Sequence, residues 1–496
     1  MSASLGKIVL SGTAHTFLES QRLCESSAHG AHLAAPTSAY SNFKLSKLLR
    51  DSKYERVWLG IGDYDTEGAW KTTRGDAALY ARWSTGQPDN GAQSGNEENC
   101  VEMWTTGEWN DASCSDKKHY ACQIPSGAAE ASPTTRSRTR LNTSGPMLTL
   151  RNGVKMPTLL LGAGGSTWQN EQKTEDMVDN ALRVGFPGLD GANHYRNHAG
   201  VARGLARARQ GGYGLDATQF WLQTKIEGCG NSVDPRSRIV SGACRQGTLD
   251  VFSKDLETLG VARLDMALLH APPCVSGAPW NDECRAEVAT KTFFRLFLNV
   301  APPTFARCPQ FNSKKVYPLN TDCNDPEPCK MIQEQWRALE SVYEKGLARS
   351  IGVSNYCTAC LRCIQQVATV MPHVNQLYLH AGMGGPDPGG LISSMETDFD
   401  GMKVQAYRPN AQGRLLRDPA VQEIAMKHQK STAQVTLRWI IQLGHAAVTT
   451  TENPTHMKAD MGIYDWALDD DDMQWLNEMD APEGIMDNIV GGNCKL

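Results

Sequence analysis

Residues 188–195, Gly-Leu-Asp-Gly-Ala-Asn-His-Tyr, join a short apolar run to two polar side chains, Asp190 and Tyr195. Two later apolar runs also end on a polar residue, Leu-Gln-Thr-Lys at Lys225 and Leu-Asp-Met-Ala-Leu-Leu-His at His270. A Tyr hydroxyl has a free pKa of about 10 and is a poor acid near neutral pH. A Lys ammonium stabilises the phenolate, a carboxylate holds that Lys, and an imidazole orients a carbonyl oxygen. The four side chains therefore predict a site that protonates a carbonyl oxygen while hydride reaches the carbon.

The C-terminal two-thirds of the chain alternates apolar runs with amphipathic stretches, which is typical of a (β/α)₈ barrel. A hairpin over 148–156 carries an Asn-Gly turn and is expected at the barrel floor. Asp190, Lys225 and His270 all fall at the C-terminal ends of predicted strands, where such barrels keep their chemistry. The predicted strands are 159–163, 188–192, 220–226, 266–271, 350–354, 374–379, 403–407 and 446–450, and the clearest helical stretches are 174–183, 250–259, 333–345 and 433–442.

Composition places the chain among ordinary globular proteins of two or three domains. It has 496 residues, 40% of them hydrophobic, and a net charge of −5. No basic run favours nucleic acid, and no apolar run approaches the roughly 20 residues that cross a bilayer.

The stretch 126–145 is rich in Ser, Thr and Ala and lacks apolar periodicity, so we expect a flexible linker there. Asn142-Thr143-Ser144 within it is a glycosylation acceptor if the chain enters the secretory pathway.

Fifteen cysteines are many for a cytosolic protein. The odd total leaves at least one thiol free, shared with another chain, or paired with a residue outside this sequence. Cys357, Cys360 and Cys363 lie on a predicted helix, where they cannot all face one tetrahedral metal ion. Either a disulfide-stapled lid or a reduced, mobile loop is compatible with the long segment 271–335, and the pairing stays open. Its cysteines are Cys274, Cys284, Cys308, Cys323 and Cys329.

Residues 146–482 resemble the aldo-keto reductases. The Asp, Tyr, Lys and His of that family's catalytic tetrad match the four polar residues described above, including the five-residue step from Asp190 to Tyr195. The resemblance implies that Tyr195 is the general acid, that Lys225 and Asp190 adjust its acidity, and that His270 orients the carbonyl oxygen. It also implies a small aldehyde or ketone as the substrate and NADPH or NADH as the cofactor.

The resemblance also assigns residues that bind the cofactor and the substrate. Ser354, Asn355 and Gln376 match side chains that hold the nicotinamide carboxamide, and Tyr407 matches the ring stacked behind it. Trp168 and Asn197 match positions near the substrate pocket.

Three segments depart from the aldo-keto reductase pattern. Thr450 and His456 stand where the family has the Lys and Arg that recognise the 2′-phosphate of NADPH, and Glu452 would repel a phosphate. Thr451 and Asn453 are still expected to donate hydrogen bonds to the cofactor, but the choice between NADH and NADPH stays open. The loop after the seventh strand reads Arg408-Pro409-Asn410 where the family usually begins with Ser. The segment 271–335 is about twice its usual length, so the substrate cannot be inferred from familiar reductases.

The N-terminal part of the chain carries oxygen-bearing side chains in two neighbouring loops. Ca²⁺ takes six to eight oxygen ligands, and carboxylates and side-chain amides supply them. A cis bond at Pro88 would bring its neighbours to one side, and 57–61 predicts a central buried strand. The candidate ligands are Gln87, Asp89, Glu98, Asn110 and Asp111.

Residues 1–125 resemble a C-type lectin domain, which implies disulfides Cys24–Cys122 and Cys100–Cys114. In that family the hydroxyls of a sugar bind the Ca²⁺ directly, and the order Gln-Pro-Asp is associated with galactose-type sugars. Residues 90–93 lack the aromatic ring that galactose binders usually add, so a lectin-like scaffold without sugar binding is the alternative. The family's opening strand is poorly matched before Phe17, which would fit a clipped start.

The sequence as a whole predicts an α+β C-type lectin-like domain over 1–125, a linker over 126–145 and an α/β TIM barrel over 146–496. The predicted function is NAD(P)H-dependent carbonyl reduction attached to a Ca²⁺-dependent carbohydrate-binding module. The alternative is a non-catalytic sugar-binding or receptor protein whose barrel has lost effective cofactor binding. The cysteines favour the secretory pathway or the extracellular space. Because the first residues do not form a signal peptide, a cytoplasmic location is the alternative.

Overall fold

The computed structural model describes residues 7–78, 80–91, 95, 97–124, 146–210, 220–229, 239, 242–273, 323–324 and 326–480. The chain divides into two compact units, Met1–Arg138 and Thr139–Leu496, and the division falls within the predicted linker. The linker 126–145, its glycosylation acceptor and most of the long segment, 274–322 with Cys274, Cys284 and Cys308, lie outside the described residues.

The first unit is built on a seven-stranded sheet whose main path runs β1-β7-β3-β5-β6, with β2 paired to β7 and β4 to β3. The predicted central strand is confirmed, because β3 lies between β7 and β5 and all but its first residue are buried. The poorly matched stretch before Phe17 nevertheless forms an opening strand: β1 pairs with β7, and Lys7 lies opposite Ile124. The strands are β1 (Lys7–Leu10), β2 (His32–Leu33), β3 (Arg56–Gly62), β4 (Lys71–Thr72), β5 (Cys100–Trp104), β6 (Trp109–Ala112) and β7 (His119–Ile124).

Two helices cover this sheet, α1 (Phe17–Ser27) and α2 (Ala39–Arg50). Each begins with a capping box, in which the side chain of Thr16 or Ser38 accepts a hydrogen bond from a backbone N–H of the first turn. Both disulfides implied by the lectin resemblance are present. Cys24–Cys122 ties α1 to β7, and Cys100–Cys114 closes the segment around β6.

The second unit is a closed barrel of eight parallel strands, in which β10 pairs with both β11 and β17. All eight predicted strands are found, each shifted by at most two residues. They are β10 (Leu159–Gly162), β11 (Gly188–Asp190), β12 (Trp221–Ile226), β13 (Leu264–Leu269), β14 (Ala348–Ser354), β15 (Val374–Tyr378), β16 (Lys403–Tyr407) and β17 (Ala446–Thr449).

Helices follow these strands and cover the outside of the barrel. Those in the described residues are α3 (Glu171–Val184), α4 (His198–Gln210), α5 (Cys244–Leu259), α6 (Pro326–Glu344), α7 (Thr358–Gln365), α8 (Leu391–Thr397), α9 (Pro419–His428), α10 (Thr432–Gln442), α11 (Pro454–Met461) and α12 (Asp470–Glu478). Within that part of the chain, no helix combines the length and the apolar character that crossing a bilayer requires.

The predicted hairpin precedes the barrel as β8 (Met147–Thr149) and β9 (Lys155–Pro157). Leu150 and Met156 are buried in one cluster with Leu160 and Trp221 from the barrel strands. The hairpin therefore closes the end of the barrel opposite to the C-terminal strand ends.

Within the part of the chain that the structure describes, three disulfides also join segments of the barrel unit. Cys229–Cys244 ties the loop after β12 to α5, whereas Cys323–Cys360 and Cys329–Cys363 attach the end of the long segment and α6 to α7. Two cysteines of the long segment thus pair with α7 in the described residues.

Candidate active site and candidate metal site

The four tetrad side chains meet at the C-terminal end of the barrel. Asp190 is the last residue of β11, Lys225 lies near the end of β12, and His270 follows β13 directly. Tyr195 ends a short 3₁₀ turn that begins at Asn193. The strand pairing explains the convergence, because parallel neighbours end at the same rim.

Lys225 and Asp190 form a buried ion pair with 2.6 Å between Nζ and Oδ2. Burial alone lowers the pKa of the Lys225 ammonium, but the charge of Asp190 and the contact with Tyr195 outweigh it and raise that pKa above its usual range. Lys225 therefore stays charged at neutral pH. The second oxygen of Asp190 accepts hydrogen bonds from the amides of Gln223 and Gln376, at 2.6 and 3.0 Å.

Tyr195 lies over this ion pair, with the Lys225 ammonium 5.2 Å from the centre of its ring. Burial raises the pKa of the phenol, Lys225 opposes that rise, and the net pKa is above the ordinary value. Lys225 therefore moderates the acidity of Tyr195 but does not ionise it. At neutral pH the hydroxyl keeps its proton, which is the form that a general acid needs.

His270 faces Tyr195 edge-on, with the two ring centres 5.9 Å apart. Burial, helped by the charge of Lys225, lowers the pKa of the imidazole well below its usual value. The ring is neutral near pH 7 and can donate one hydrogen bond to an oxygen. Its backbone is fixed at both sides, because its N–H donates to Ile226 at 2.7 Å and its carbonyl accepts from Asn355 at 3.0 Å.

Asn355 connects most of the side chains expected to hold a nicotinamide. Its Nδ2 donates to the Ser354 hydroxyl at 3.1 Å, and its Oδ1 accepts from the Tyr407 hydroxyl at 2.8 Å. Asn355 has a φ of 63°, a left-handed conformation that Asn tolerates better than most residues. Gln376 lies apart from this group, since its Nε2 donates into the barrel to Asp190 and Gln405.

The two residues expected near the substrate differ in exposure. Trp168 is 46% exposed, and its indole N–H donates to the His194 carbonyl at 3.1 Å. Asn197 is buried, and its Nδ2 donates to Ala163, Thr167 and Thr174 within 3.1 Å. These hydrogen bonds of Asn197 hold the loop after β10 in place.

The segment after β17 contains the positions expected near the cofactor phosphate. Thr450 and His456 are exposed, the Thr451 hydroxyl accepts from the Asn453 backbone N–H, and the Asn453 side chain caps α11. Lys173 of α3 lies 3.7 Å from Glu452, which also contacts Ser166. Lys173 comes from a helix distant in sequence, so sequence reasoning missed this cation near the segment.

Two polar side chains at the rim, His194 and Glu227, were missed by sequence reasoning. His194 directly precedes Tyr195, and its Nδ1 lies 2.9 Å from the carboxylate of Glu227. Glu227 is two residues beyond Lys225 and buried. Their positions next to the tetrad are the signal that could have found them.

In the lectin-like unit, the carboxylates of Asp89, Glu98 and Asp111 offer oxygens that all lie within 4.8 Å of one another. The predicted cis bond between Gln87 and Pro88 is present. Asp111 accepts hydrogen bonds from the backbone N–H groups of Asp89 and Asn90, at 3.2 and 2.7 Å. Like charges at this separation repel unless a cation lies between them. The donor set therefore fits a hard divalent cation such as Ca²⁺.

The side-chain amides near this cluster differ in their contacts. The Gln87 side-chain oxygen is buried without a hydrogen-bond partner, as expected of a metal ligand. Asn110 donates its amide to Glu102 at 3.3 Å and to the Asp111 carbonyl, which leaves its own oxygen as the ligand atom.

Asp63 and Glu67 extend the acidic cluster and were not predicted. Burial first, and the nearby Asp111 carboxylate as well, raise the pKa of Asp63, one of whose oxygens is buried without a partner. Glu67 accepts a hydrogen bond from Asn90 at 2.8 Å. A Val-Trp-Leu-Gly-Ile-Gly-Asp strand end was the available signal for Asp63.

Comparisons with known proteins agree with both units. A model of the aldo/keto reductase family matches residues 158–481, and a model of the C-type lectin domain matches residues 13–124. An aldo-keto reductase of Mycobacterium sp. (strain JLS) is 26% identical over 336 residues, which cover 68% of this chain and 93% of that protein. A morphine 6-dehydrogenase of Pseudomonas putida is 25% identical over 344 residues, covering 68% of this chain and 92% of that protein.

A solved structure shows the same fold. The crystal structure of a Bombyx mori aldo-keto reductase in complex with NADP aligns with a TM-score of 0.50 and 19% identity. The alignment covers 69% of this chain and 95% of that one.

Proposed function

Because this chain belongs to the aldo/keto reductase family and is an NAD(P)H-dependent oxidoreductase, we propose that its barrel reduces an aldehyde or ketone to an alcohol with Tyr195 as the general acid. We propose further that its C-type lectin domain binds a carbohydrate through Ca²⁺. The observation that carries the first proposal is the buried Lys225–Asp190 pair, 2.6 Å long, beneath the Tyr195 ring.

The nicotinamide cofactor supplies a hydride when it is bound. Tyr195 then transfers the proton of its hydroxyl to the carbonyl oxygen, so that carbon and oxygen each gain one hydrogen. Lys225 stabilises the phenolate that remains, and Asp190 keeps Lys225 in place. Neutral His270 donates a hydrogen bond to the same oxygen, which positions the carbonyl and opposes its movement.

The groups proposed to hold the nicotinamide fit that role unequally. Ser354, Asn355 and Tyr407 form one hydrogen-bonded group at the rim, and Tyr407 keeps part of its ring exposed. Thr451 and Asn453 are proposed to meet the rest of the cofactor. Gln376 is proposed as a third ligand of the nicotinamide carboxamide, and its amide also donates to Asp190 at 3.0 Å. Both NADPH and NADH are proposed as cofactors; the Bombyx mori relative binds NADP.

The Ca²⁺ proposal is supported by the three clustered carboxylates and by the buried oxygen of Gln87. Gln87, Asp89, Glu98, Asn110 and Asp111 would bind the ion, and a sugar would complete its coordination. The Gln-Pro-Asp order supports a galactose-type glycan as the partner.

The lectin domain and the disulfide bonds point to a secreted protein. Disulfides occur in both units, and such bonds persist in oxidising compartments. We propose the secretory pathway or the extracellular space as the location.

Nucleotide binding and turnover test the enzyme proposal. NADH and NADPH are titrated by fluorescence against the purified full chain, and reduction of several aldehydes is then followed by nucleotide oxidation. The wild type is expected to bind at least one nucleotide below millimolar concentration. Tyr195→Phe should keep that binding and lower kcat by at least about 100-fold. If neither nucleotide binds, the barrel is a non-catalytic scaffold.

Retention on immobilised galactose tests the lectin proposal. The chain should bind in Ca²⁺ and elute with a chelator. Asp111→Asn should not bind, whereas retention that ignores the chelator would exclude a metal-bridged sugar.

A further inference from the structure

We propose that Cys329 is a modification site, at which a small thiol that carries a carboxylate exchanges with the Cys329–Cys363 disulfide. The reaction separates α7 from one of its covalent attachments and lowers the affinity of the barrel for its nicotinamide cofactor. The exchange itself does not depend on the proposed carbonyl reduction, whereas its effect on the cofactor rests on that proposed function.

The disulfide lies in the wall of a cavity of about 440 Å³ between α6 and α7. This volume is within the range of sites that hold small molecules. The two cysteines differ in access, because Cys329 is partly exposed and Cys363 is only 3% exposed. A thiolate that enters the cavity therefore reaches the sulfur of Cys329 more easily than that of Cys363.

The charged side chains around the cavity favour an anion. Lys330 and Arg362 line it and are exposed, and none of the described residues that line it carries a carboxylate. The structure records no ion pair for either cation among the residues that it describes. Because the attacking species in disulfide exchange is a thiolate, these cations favour the reacting form of the thiol. They also attract a carboxylate on the same molecule and repel an ammonium.

The exchange takes place in two balanced steps. A first thiolate attacks Sγ of Cys329 and forms a mixed disulfide, and Cys363 leaves as a thiolate that takes up a proton. A second thiolate attacks the outer sulfur of the mixed disulfide, which releases Cys329 and the oxidised form of the small thiol. Two thiols thus lose two electrons to one protein disulfide, and the protons that they release are taken up by the two cysteines. The Gln333 amide lies 3.7 Å from Cys329 Sγ and can donate to the thiolate released in the second step.

Helix α7 connects the disulfide to the group proposed to hold the nicotinamide. Only two residues, Tyr356 and Cys357, separate Asn355 from the start of α7. The helix has 8 residues, and helices shorter than about 12 residues are marginal on their own. The position of α7 therefore depends on its packing and its disulfides. Since Cys323–Cys360 remains after the exchange, α7 and the preceding Asn355 are loosened but not released.

The Cys229–Cys244 disulfide is an internal control for access. Both of its cysteines are 0% exposed. A thiol reaches this bond only when the surrounding structure opens, so its exchange is expected to be much slower than that of Cys329–Cys363.

The first experiment measures which disulfide reacts and with which thiol. The full-length wild type is treated with mercaptoacetate, 2-mercaptoethanol or cysteamine, the reaction is stopped by alkylation, and the modified peptides are identified by mass spectrometry. Each rate is divided by the rate of the same thiol with 2-hydroxyethyl disulfide, which corrects for the intrinsic reactivity of the thiol. The mixed disulfide on Cys329 should form at least about tenfold faster than any on Cys229 or Cys244. The corrected rate should be about threefold to tenfold higher for mercaptoacetate than for cysteamine, as expected of two exposed charges.

Charge variants test the role of the two cations. Lys330→Gln combined with Arg362→Gln should remove the preference for mercaptoacetate while the reaction with neutral 2-mercaptoethanol continues. Lys345→Gln is the matched control, because it removes an exposed positive charge directly after the other end of α6. It should leave the preference unchanged.

The second experiment measures the effect on the cofactor. In the double variant Cys329→Ala with Cys363→Ala, the Kd for NADPH should rise about threefold to tenfold, and the α7 amides should exchange hydrogen faster. Treatment of the wild type with mercaptoacetate should raise its Kd by a similar factor, whereas the same treatment should not raise the Kd of the double variant further.

The possible outcomes separate the modification site from its effect and from the proposed function. If Cys229–Cys244 reacts as fast as Cys329–Cys363, the modification site is refuted. If cysteamine reacts as fast as mercaptoacetate after correction, or if Lys345→Gln changes the preference as much as the double charge variant, the cavity does not select an anionic thiol. If the exchange occurs but the Kd for NADPH is unchanged, the effect on the cofactor is refuted and the site stands. If the untreated protein binds neither nucleotide, the proposed function fails, and the rates of exchange still decide the modification site.

Discussion

The two candidate sites balance buried charge in opposite ways. In the barrel, the Asp190 carboxylate has the Lys225 ammonium 2.6 Å away, whereas Asp89, Glu98 and Asp111 of the lectin domain bring three carboxylates within 4.8 Å. The structure records no ion pair for Asp89 or Asp111 in the part of the chain that it describes. The barrel cluster contains its own counter-charge, whereas the three lectin carboxylates are proposed to be balanced by a bound cation. The difference sets a site proposed for proton transfer, which is balanced within the protein, against a site proposed for cation binding.

The largest effect on stability and turnover is expected when one partner of the Lys225–Asp190 ion pair is removed. Lys225→Met leaves Asp190 buried without its cation, so the free energy of unfolding should fall by about 3–5 kcal/mol. Turnover should fall by at least about 100-fold, because Tyr195 loses the charge that stabilises its phenolate. Urea denaturation and steady-state kinetics measure the two effects.

The double variant Asp190→Asn with Lys225→Met is the control for this prediction. Removing both charges should restore most of the stability but none of the activity. If Lys225→Met were as stable as the wild type, the buried Asp190 would not depend on Lys225 for its counter-charge.

Ca²⁺ is expected to have the next largest effect on stability. It should stabilise the lectin domain and leave the stability of the barrel unchanged. At 100 times its dissociation constant, a bound ion adds about 2.7 kcal/mol to the stability of the domain that holds it. For a domain of about 100 residues this raises the melting temperature by roughly 10 °C. Differential scanning calorimetry of the full chain with Ca²⁺ and with a chelator measures the shift.

Asp111→Asn is expected to remove most of the calcium response, with the barrel transition unchanged. A chelator that shifts the barrel transition instead would refute the contrast between the two sites.

The next prediction concerns His373, a buried side chain that is neutral at pH 7. Its contribution to stability is smaller and depends on pH. Burial lowers the pKa of His373 to about 4 from the usual 6.5. Its contribution to stability is fully present above pH 6.5 and is lost as the pH falls toward 4, because the unfolded chain takes up the proton first. Between pH 7 and pH 5 the loss from His373 is about 2 kcal/mol.

The loss is measured as the difference between the wild type and His373→Asn. Asp460, whose pKa burial raises to about 6, has a pH dependence of the opposite sign, and it cancels in that difference because both proteins contain it. Parallel stability curves for the two proteins would show that His373 does not titrate as expected.

The smallest effect is expected near the cofactor phosphate. Glu452 lies 3.7 Å from Lys173, so Glu452→Gln should free that cation and remove a negative charge. The affinity for NADPH should rise about threefold relative to NADH, since an exposed charge contributes well under 1 kcal/mol. Fluorescence titration with both nucleotides at two salt concentrations tests it, and equal gains for both would point to a cause other than the 2′-phosphate.

The sequence predicted the features that depend on local pattern. Apolar runs ending in Asp190 and Lys225 located both the strands and the reacting groups, because parallel strands must end at one rim. The Gln-Pro-Asp stretch located the acidic loop of the lectin domain, because its residues are neighbours in sequence.

Contacts between distant segments were not predictable. Cys323 and Cys329 pair with Cys360 and Cys363, and no spacing among fifteen cysteines reveals that choice. The hydrogen bond from Gln376 to Asp190 was not predicted either, because only the closed barrel brings these two residues together. His194 and Glu227, which follow β11 and β12, are also brought together only by the closed barrel.

The antiparallel pairing of β1 with β7 has a mechanical consequence. Lys7 lies opposite Ile124. The disulfide between Cys24 and Cys122, which are 98 residues apart in sequence, closes the chain between them into a covalent ring. When the domain is pulled at its two ends, the bond carries the load and only the stretch from Lys7 to Cys24 can unravel. The extension is then limited to roughly 60 Å, against roughly 400 Å for the same chain without the bond. A fold with this property can hold a tethered protein under tension without losing the interior of its binding domain.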